Sequence, residues 1–318
     1  MSALENSITA SAPGKVIVIG EHFVVHGSYA VAAAINKRAK VTVSAGKGNE
    51  SIILSNGEKT SIMGEKGKFS AAQTVARRIF EEYGTPSNGI RVEIESEIPP
   101  GSGLGSSAAI SVATAASLSK FIGHTLDNDR ISEIASFGEK SVHGNPSGID
   151  SEASLLGGMI LYSRKTGAKQ IPLNRGIQLL VVYSGHERST SALVSKVTGK
   201  KEEFPSTFAH LSDALSFASL HLVDALSTGD LPYLGALMNL AQASLFWVGC
   251  STKELDDLIE NVLSDESCFG AKLTGAGGGG SIIALPKPEK AGEALTRISK
   301  QYSSSFLVSI PQEGLRWE

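Results

Sequence analysis

The sequence is poor in several kinds of residue, and each scarcity narrows what the protein can be. Its 318 residues include only two cysteines, Cys250 and Cys268, and these lack companions at zinc-ligand spacing. Reduced structural thiols are therefore expected, as in a cytoplasmic protein. Apolar runs of the roughly 18 residues that span a bilayer are missing, and segment 1–11 lacks the basic start and apolar core of a signal peptide. We expect a cytoplasmic protein with no membrane partner.

An excess of charge of one sign is also missing. The formal net charge is −3, and Lys200-Lys201 is followed at once by Glu202-Glu203. A nucleic-acid surface would show a basic stripe or patch, so we expect no nucleic-acid partner. With 41% hydrophobic and 19% charged residues the composition is that of a globular protein, and 318 residues suffice for two domains that each bury a core.

Short β-branched segments and helical patterns alternate along the chain, and helices dominate its second part. The pattern predicts strands at 16–19, 40–44, 51–54, 60–63, 90–94, 159–162, 179–183, 281–285 and 306–310. It predicts helices at 70–83, 106–121, 128–140, 207–226, 231–247, 251–263 and 288–302. Capping-box patterns open two of these helices, Ser70 with Gln73 and Ser251 with Glu254. The change in character between about Lys165 and Gly176 predicts an α+β protein with two domains, 1–172 and 173–318.

A glycine-rich turn, Pro99–Ser107, joins a predicted strand to a predicted helix. Its alternating glycines at 101, 103 and 105 permit positive φ and let a ligand touch backbone N–H groups, and the helix start adds unpaired amides and a positive dipole end. The serines at 106 and 107 could cap the helix or direct hydroxyls at a phosphate or its metal. A tight turn needs fewer glycines, so the pattern favours a phosphate site. It is not a Walker A loop, because no Gly-Lys-Ser/Thr follows.

A second glycine cluster lies at 275–280, where five of six residues are glycine. It contains Gly-x-Gly-x-x-Gly spacing, but a strand is predicted at 281–285, where a dinucleotide-binding fold requires a helix. We therefore expect the glycines to permit close backbone approach to another loop or to a ligand.

Charged residues elsewhere supply the parts of a catalytic site. Lys15, Glu21 and His22 flank one predicted strand, and Glu139 and Asp150 bracket the turn-rich segment 143–148. The two carboxylates would ordinarily be a surface residue and a helix cap. If segment 143–148 folds back, both would face the glycine-rich turn.

In that arrangement Glu139 and Ser107 would suffice as protein ligands of a nucleotide-bound Mg²⁺. Asp150 would be free to accept the proton of an attacking hydroxyl, and Lys15 would stabilise the charge that develops. The sequence thus favours an ATP-dependent kinase that acts on a small-molecule hydroxyl.

Three segments in order, Ser11–Gly27, Pro99–Ala109 and Lys272–Gly280, resemble the three motifs of the GHMP kinase family (galacto-, homoserine, mevalonate and phosphomevalonate kinases). The resemblance covers nearly the whole chain. Within the family, Ser11–Gly27 and Gly138–Asp150 are most similar to the mevalonate kinase branch. Galactokinases differ at the first motif, where they carry an Arg-x-Asn-Leu-Ile-Gly-Glu-His-Thr-Asp type of sequence.

The resemblance implies an amino-terminal domain like ribosomal protein S5 domain 2 and a ferredoxin-like carboxy-terminal domain, with ATP in the cleft between them. It implies Asp150 and Lys15 as catalytic residues, Ser107 and Glu139 as Mg²⁺ ligands, and mevalonate as the acceptor. The implied acceptor-binding residues are Lys15, Glu21, His22 and Asp150. The implied ATP-binding residues are Pro100, Gly101, Ser102, Gly103, Leu104, Gly105, Ser106, Ser107 and Ala108.

Further implications concern the surroundings of the site. Segment 275–280 would buttress the phosphate turn, and Thr190 would lie on the substrate or phosphate side. Arg164 is either a partner for the substrate carboxylate or a surface arginine. The sequence does not give the oligomeric state; a homodimer is possible, since dimers are common in such kinases. The alternatives are a different acceptor (phosphomevalonate, a sugar or homoserine) or a relative that senses a metabolite without catalysis.

Overall fold

The computed structural model describes residues 7–84, 89–143, 146–186 and 190–318, which form two β-sheets. The larger sheet contains eight strands: β1 (Ser7–Ile19), β2 (Ala30–Ala45), β3 (Ile52–Ser55), β4 (Glu58–Ser61), β5 (Ile90–Ser96), β6 (Met159–Ser163), β7 (Gly167–Ile171) and β12 (Arg316–Trp317). The smaller sheet contains four: β8 (Gln178–Tyr183), β9 (Cys268–Leu273), β10 (Ser281–Pro286) and β11 (Ser305–Ser309). The described strands and helices confirm the predicted α+β class.

The order of the larger sheet places β1 deep in the molecule. Its main path runs β12-β1-β2-β5-β3-β4, and β6 pairs with β2 and β7. The long strand β2 pairs with β6 over Ala30–Ala33 and with β5 over Ala39–Ala45. The smaller sheet is antiparallel, in the order β11-β8-β10-β9. Since β1 lies between two strands, its side chains from Ala10 onward are mostly buried, and a charged residue on it must find its partners inside the protein.

Helices cover both sheets. The described α-helices are α1 (Ser70–Tyr83), α2 (Ser106–Phe121), α3 (Asn128–His143), α4 (Ile149–Leu156), α5 (Thr190–Glu203), α6 (Pro205–Thr228), α7 (Leu231–Trp247), α8 (Lys253–Leu263) and α9 (Ala291–Ser299). Helices α1 to α4 pack together beside β1 and β2, whereas α7 and α8 pack on β9. Gly138 of α3 lets that helix approach α2 closely, because a Cβ there would lie 2.2 Å from Ser111 Oγ. None of the helices that the structure describes is both long and apolar enough to cross a bilayer.

Both predicted capping boxes are wrong. Helix α1 follows Phe69 without a side-chain cap, and the Gln73 amide donates instead to the carbonyls of Ser61 and Glu65. Helix α8 begins one residue later than a Ser251 cap requires, and Thr252 accepts from the Leu255 amide. Ser251 donates instead to Asp256 Oδ1 of the same helix, at 2.6 Å. Competing hydrogen-bond partners of Gln73 and Ser251 therefore override the predicted caps.

Other elements differ from the predicted ones in length. Strands β1 and β2 begin earlier than the β-branched segments indicate, and β7, α4 and α5 are elements that the sequence pattern did not predict. The helix predicted at 288–302 is shortened to α9, after a 3₁₀ turn at Pro288–Lys290.

The two sheets are joined twice by the chain. Strand β7 belongs to the larger sheet and the next strand, β8, to the smaller one. After β11 the chain returns, and β12 pairs with β1 through Ala10 and Ser11. The domain division at 172/173 stays a prediction, and the last residues of the chain contribute to the larger sheet.

Candidate active site

Two oppositely charged residues from distant parts of the sequence meet at the centre of the molecule. Lys15 lies on β1, and its Nζ is 2.8 Å from Asp150 Oδ1. The lysine side chain is 2% exposed and the aspartate side chain 26% exposed, so the pair opens to solvent on the carboxylate side. Asp150 is not a helix cap; it lies in the first turn of α4, whose N-cap is Gly148 with φ of 91°. An inward lysine is thus paired with a carboxylate that a small molecule can reach.

The glycine-rich turn packs directly on Lys15. Gly101, Gly103 and Gly105 have φ of 71°, 85° and 76°, as their spacing predicts. The Lys15 amide donates to the Leu104 carbonyl at 2.8 Å, and a Cβ on Gly105 would lie 2.8 Å from Lys15 Cγ. The turn is therefore fixed against the strand that carries the lysine.

Helix α2 begins at the end of this turn, with Gly105 as its N-cap and no side-chain cap. Its first amides have no intrahelical acceptor and carry the positive end of the helix dipole. Ser102 closes the turn by donating to the Pro99 carbonyl at 2.6 Å. This arrangement of backbone N–H groups suits an anion such as a phosphate.

A second carboxylate, Glu139, lies beside Asp150. It is buried on α3 and accepts a 2.6 Å hydrogen bond from Ser151 Oγ. Burial, and then the negative charge of Asp150, raise the pKa of Glu139 to about 8, while the Ser151 hydroxyl and the Lys15 charge act in the opposite direction. The site thus contains two carboxyl groups, those of Glu139 and Asp150, beside the single ammonium group of Lys15. Binding of a cation there would therefore be favourable.

The predicted acceptor-side residues share one cavity of about 110 Å³. Its described polar lining is Lys15, Glu21, His22, Glu139, Ser147 and Asp150. Its described apolar lining is Ile17, Val24, Val25, Pro146, Val194, Gly275 and Ala276. A hydroxyl compound in this cavity would have a lysine and a carboxylate at one wall and aliphatic side chains at another.

One charged residue at the edge of this site was missed by sequence reasoning. Lys272 of β9 is fully buried and forms an ion pair with Glu21, which is 1% exposed on its side chain. Burial raises the pKa of Glu21 and lowers that of Lys272, and their mutual attraction opposes both shifts. The signal that could have found Lys272 is its position inside the apolar strand Cys268–Leu273, where a lysine needs a partner.

The segment 275–280 makes the close approach that its glycines predict, and its neighbour is another loop. A Cβ on Gly277 would lie 2.3 Å from the Cys250 carbonyl, which accepts from the Gly278 amide at 2.8 Å. The Ala276 carbonyl lies 2.8 Å from His22 Nε2.

Both cysteines are free and buried, and burial raises the pKa of the Cys250 thiol to about 12.

Two residues named from the sequence lie away from the cavity or outside the described part. Arg164 is not among the described residues that line the cavity; it donates to the carbonyls of Pro146 at 2.8 Å and Val25 at 3.4 Å, behind the cavity wall. Its role toward a substrate carboxylate stays a prediction. The Thr190 side chain and residues 144–145 lie outside the described residues.

Models of one protein family match both parts of the chain. Residues 70–158 match the family model described as GHMP kinases N terminal domain, and residues 222–304 match GHMP kinases C terminal. The chain belongs to the GHMP kinase family, and its two-domain fold is confirmed as that of these kinases.

Its relatives within the family are more specific. The chain is 37% identical to the mevalonate kinase of Aeropyrum pernix, with 99% of each chain covered. It resembles the crystal structure of L. major mevalonate kinase in complex with R-mevalonate, with a TM-score of 0.80, 28% identity and 94% of each chain covered. It also resembles the mevalonate kinase of Methanococcus jannaschii, with a TM-score of 0.81, 25% identity and 98% of each chain covered.

Proposed function

We propose that this protein is a mevalonate kinase, which transfers the γ-phosphoryl group of ATP to the 5-hydroxyl of mevalonate and releases mevalonate 5-phosphate and ADP. The observation that carries the proposal is the Lys15–Asp150 ion pair, which lies against the glycine-rich turn and lines a cavity with Glu21 and His22. Relatives at 37% identity over nearly the full chain bear the same activity in their names.

Each member of the ion pair has a role in the proposed reaction. Asp150 accepts the proton of the acceptor hydroxyl as the oxygen attacks phosphorus. Lys15 holds the carboxylate in position, and its charge stabilises the oxygen anion as it develops. Glu21 and His22, which line the same cavity, contact the acceptor. Catalysis then rests mainly on positioning and on charge stabilisation.

The ATP phosphates are bound by the glycine-rich turn and the first turn of α2. The residues concerned are Pro100, Gly101, Ser102, Gly103, Leu104, Gly105, Ser106, Ser107 and Ala108. The positive φ of the three glycines and the absence of a side-chain cap on α2 leave backbone amides available to phosphate oxygens.

The donor set also fits Mg²⁺. Glu139 is a buried carboxylate beside a second carboxylate, and Ser107 lies in the first turn of α2. Among the residues that the structure describes, no group of three or more His, Cys, Asp or Glu side chains could hold a metal. A nucleotide-bound Mg²⁺ needs only one or two protein oxygens, so Glu139 and Ser107 are sufficient ligands. When bound, the ion neutralises phosphate charge in the transition state.

A coupled ADP-release assay over a panel of acceptors tests the proposal. The panel contains mevalonate, phosphomevalonate, galactose and homoserine, each with ATP and Mg²⁺. We expect turnover with mevalonate and turnover lower by at least about 100-fold in kcat/KM with the others, which is the discrimination that about 3 kcal/mol of differential contacts provides.

Each other outcome of the panel is informative. Preference for another acceptor would contradict the substrate and keep the kinase. ATP binding without ADP formation on any acceptor would contradict catalysis and favour a metabolite-sensing relative. The possible homodimer and the cytoplasmic location remain predictions, and light scattering of the purified protein measures the former.

A further inference from the structure

Three residues at the end of β9 and in the turn that follows it contact residues that line the cavity. Lys272 is the last residue but one of β9, and Thr274 and Ala276 lie just beyond the strand; the three are here called the β9 seam. The seam contacts the larger sheet only a few residues from Lys15, at Ile17 and in the loop Gly20–His22. It therefore links the smaller sheet to the loop that carries the predicted acceptor-binding residues.

Each residue of the seam has a distinct partner. Thr274 Oγ1 accepts from the Ile17 amide at 3.0 Å and lies 3.3 Å from the Ile17 carbonyl, beside the register irregularity of β1 between Ile17 and Ile19. The Ala276 carbonyl lies 2.8 Å from His22 Nε2. His22 has φ of 62°, which a residue other than glycine rarely adopts, so this contact helps to hold a strained loop.

Lys272 has the most complete set of contacts. Its ammonium group donates to Glu21 Oε1, to the Leu273 carbonyl at 2.6 Å and to the Ile17 carbonyl at 3.4 Å. An ammonium group has three donors, so each N–H of this fully buried group has an acceptor. The orientation of Lys272 is thereby fixed, and so is the orientation of the Glu21 oxygen that it holds.

The second oxygen of Glu21 is in a different situation. Glu21 Oε2 is buried and has no hydrogen-bond partner among the described residues, although Glu21 lines the cavity with Lys15 and Asp150. Buried carboxylate oxygens are ordinarily satisfied, so an unpartnered one beside a cavity points to a ligand donor. Lys272 thus occupies one oxygen of Glu21 and leaves the other available to the acceptor.

We propose that Lys272 is a positioning residue for acceptor binding, which acts through Glu21 from the smaller sheet. It keeps the Glu21 carboxylate in one orientation, with Oε2 available to a hydroxyl of the bound acceptor. The inference rests on the proposed function, because it concerns the acceptor of that same reaction. It adds to the reaction a residue that touches neither substrate nor nucleotide.

The test is a double-mutant cycle with Lys272→Met, Glu21→Gln and the double variant, measured by steady-state kinetics with mevalonate and ATP varied separately. If Lys272 acts through Glu21, Lys272→Met raises the KM for the acceptor by about 10–100-fold, the range seen when partners that orient a metal ligand are removed. The KM for ATP stays within about twofold, since the ATP-binding turn lies on the other side of Lys15. Lys253→Met, whose side chain is 82% exposed, is the matched lysine control and leaves both constants unchanged.

Whether the effects of the two substitutions add decides between a positioning role for Lys272 and a general effect on stability. The double variant should have the kinetic constants of Glu21→Gln alone, because Glu21 is the one side chain among the described residues to which Lys272 donates a hydrogen bond. Losses that multiply in the double variant, or an equal rise in the KM for ATP, would overturn the inference. If Lys272→Met does not fold, the comparison of the double variant with Glu21→Gln still decides, since removing both charges of a buried pair is better tolerated than removing one.

Failure of the proposed function gives a different result. If the wild type turns over another acceptor of the panel, the cycle is run on that acceptor, and the inference stands or falls on the same comparison. Wild-type protein that turns over no acceptor contradicts the proposed function and the inference together. Wild-type turnover with multiplied losses contradicts the inference alone.

Discussion

The ion pair between Lys15 and Asp150 offsets the cost of burying the lysine charge. A buried ammonium group is costly unless it is paired, and Lys15 is 2% exposed on a strand that is bonded to β2 on one side and to the glycine-rich turn on the other. The 2.8 Å contact with Asp150 supplies the pairing. An acceptor hydroxyl that enters from the exposed side of Asp150 would therefore meet the proposed base in a position that the ion pair with Lys15 sets.

The first prediction concerns Asp150. Asp150→Asn should retain ATP binding and lose about 10²–10⁴-fold in kcat, the contribution of a positioned proton acceptor. The amide is nearly the same size and still lies beside Lys15, so the loss reports the missing base. Nucleotide titration and single-turnover ADP formation measure the two properties separately.

Asp257→Asn is the matched control for this variant, because its side chain is 58% exposed on α8 and pairs only with Lys253 at the surface. It should behave as wild type. Full activity in Asp150→Asn would remove Asp150 from the mechanism and leave positioning and charge stabilisation as the sources of catalysis.

The second prediction concerns the pH dependence of stability in metal-free protein. In the unfolded chain Glu139 releases its proton near pH 4.5, whereas in the folded protein its pKa is raised to about 8. Its protonated form is therefore favourable to folding below about pH 4.5, and this contribution is lost as the pH rises toward 8. The free energy of unfolding should fall across this window, by an amount on the order of a few kcal/mol.

Urea unfolding in the presence of a chelator, at several pH values in this window, measures the effect. Glu139→Gln keeps the size and the acceptor for Ser151 and should remove this part of the slope, so the difference between the two proteins isolates Glu139 from Glu21 and Lys272. Mg²⁺ with a nucleotide should also flatten the slope, because a bound cation favours the ionised carboxylate. Equal slopes in both proteins would show that Glu139 does not titrate as described.

At the scale of elements, the glycine-rich turn combines two demands that act at different residues. Gly101 and Gly105 both have positive φ, but only Gly105 lies against Lys15. At Gly101 a Cβ would meet nothing within 4 Å, whereas at Gly105 it would lie 2.8 Å from Lys15 Cγ. Substitution of Gly101 therefore tests backbone strain alone, whereas substitution of Gly105 tests backbone strain together with crowding of Lys15.

The third prediction uses this pair. Gly101→Ala should reduce the free energy of unfolding by about 1 kcal/mol, the cost of an alanine in the left-handed region. Gly105→Ala should reduce it by about 2–4 kcal/mol, because overpacking adds to the strain. It should also lower kcat, since Lys15 must move away from Asp150. Chemical unfolding and the ADP-release assay measure the two effects, and equal losses in both variants would contradict the crowding of Lys15.

The sequence predicted most accurately those elements whose ends are marked locally. Helices α2 and α7 begin and end at the predicted residues, because a glycine turn or an Asp-Leu-Pro start precedes each one. The capping boxes at Ser70 and Ser251 failed because other groups compete for their members: Gln73 donates to carbonyls of the segment before α1, and Ser251 donates to Asp256 of α8.

The residues of the candidate site divide in the same way, into those that a local motif predicts and those that it does not. Lys15, Glu139 and Asp150 could be named from their motifs, and the structure brings them together. Lys272 could not, because the reason for a lysine in an apolar strand is Glu21, which lies 251 residues earlier in the chain. A lysine in an apolar strand indicates that a partner is needed, but which residue is that partner depends on how the two sheets meet.

At the scale of the whole molecule, the tail after β11 connects the smaller sheet back to the catalytic part. It passes the last turn of α4, where the Leu315 amide donates to the Leu155 carbonyl at 2.9 Å. Gly314 is required there, because a Cβ would lie 2.0 Å from the Leu155 carbonyl. Since the first turn of α4 carries Asp150, the proposed base, the tail contacts the other end of the helix that holds this residue.

The fourth prediction tests this contact through Arg38 of β2. Its guanidinium donates to Ser11 Oγ and to the Ser11 carbonyl, each at 2.8 Å, and to the Gly314 carbonyl at 2.7 Å. Hydrogen bonds from a charged group contribute about 1.5–3 kcal/mol each and are not additive, so Arg38→Met should reduce the free energy of unfolding by about 2–4 kcal/mol. Amide hydrogen exchange should increase at Leu315 and in β12.

Arg91→Met is the control, since Arg91 lies on β5 and its exposed ion pair with Glu93 should contribute less than about 1 kcal/mol. A purely local role of Arg38 would leave exchange at Leu315 unchanged and confine the effect to β1 and β2. If the tail supports α4, exchange at Gly157, whose amide closes the last turn of α4 on the Ala153 carbonyl, should rise together with that at Leu315. The joint rise is expected because the Leu155 carbonyl and Gly314 are in direct contact, so the tail cannot detach without freeing the end of that helix.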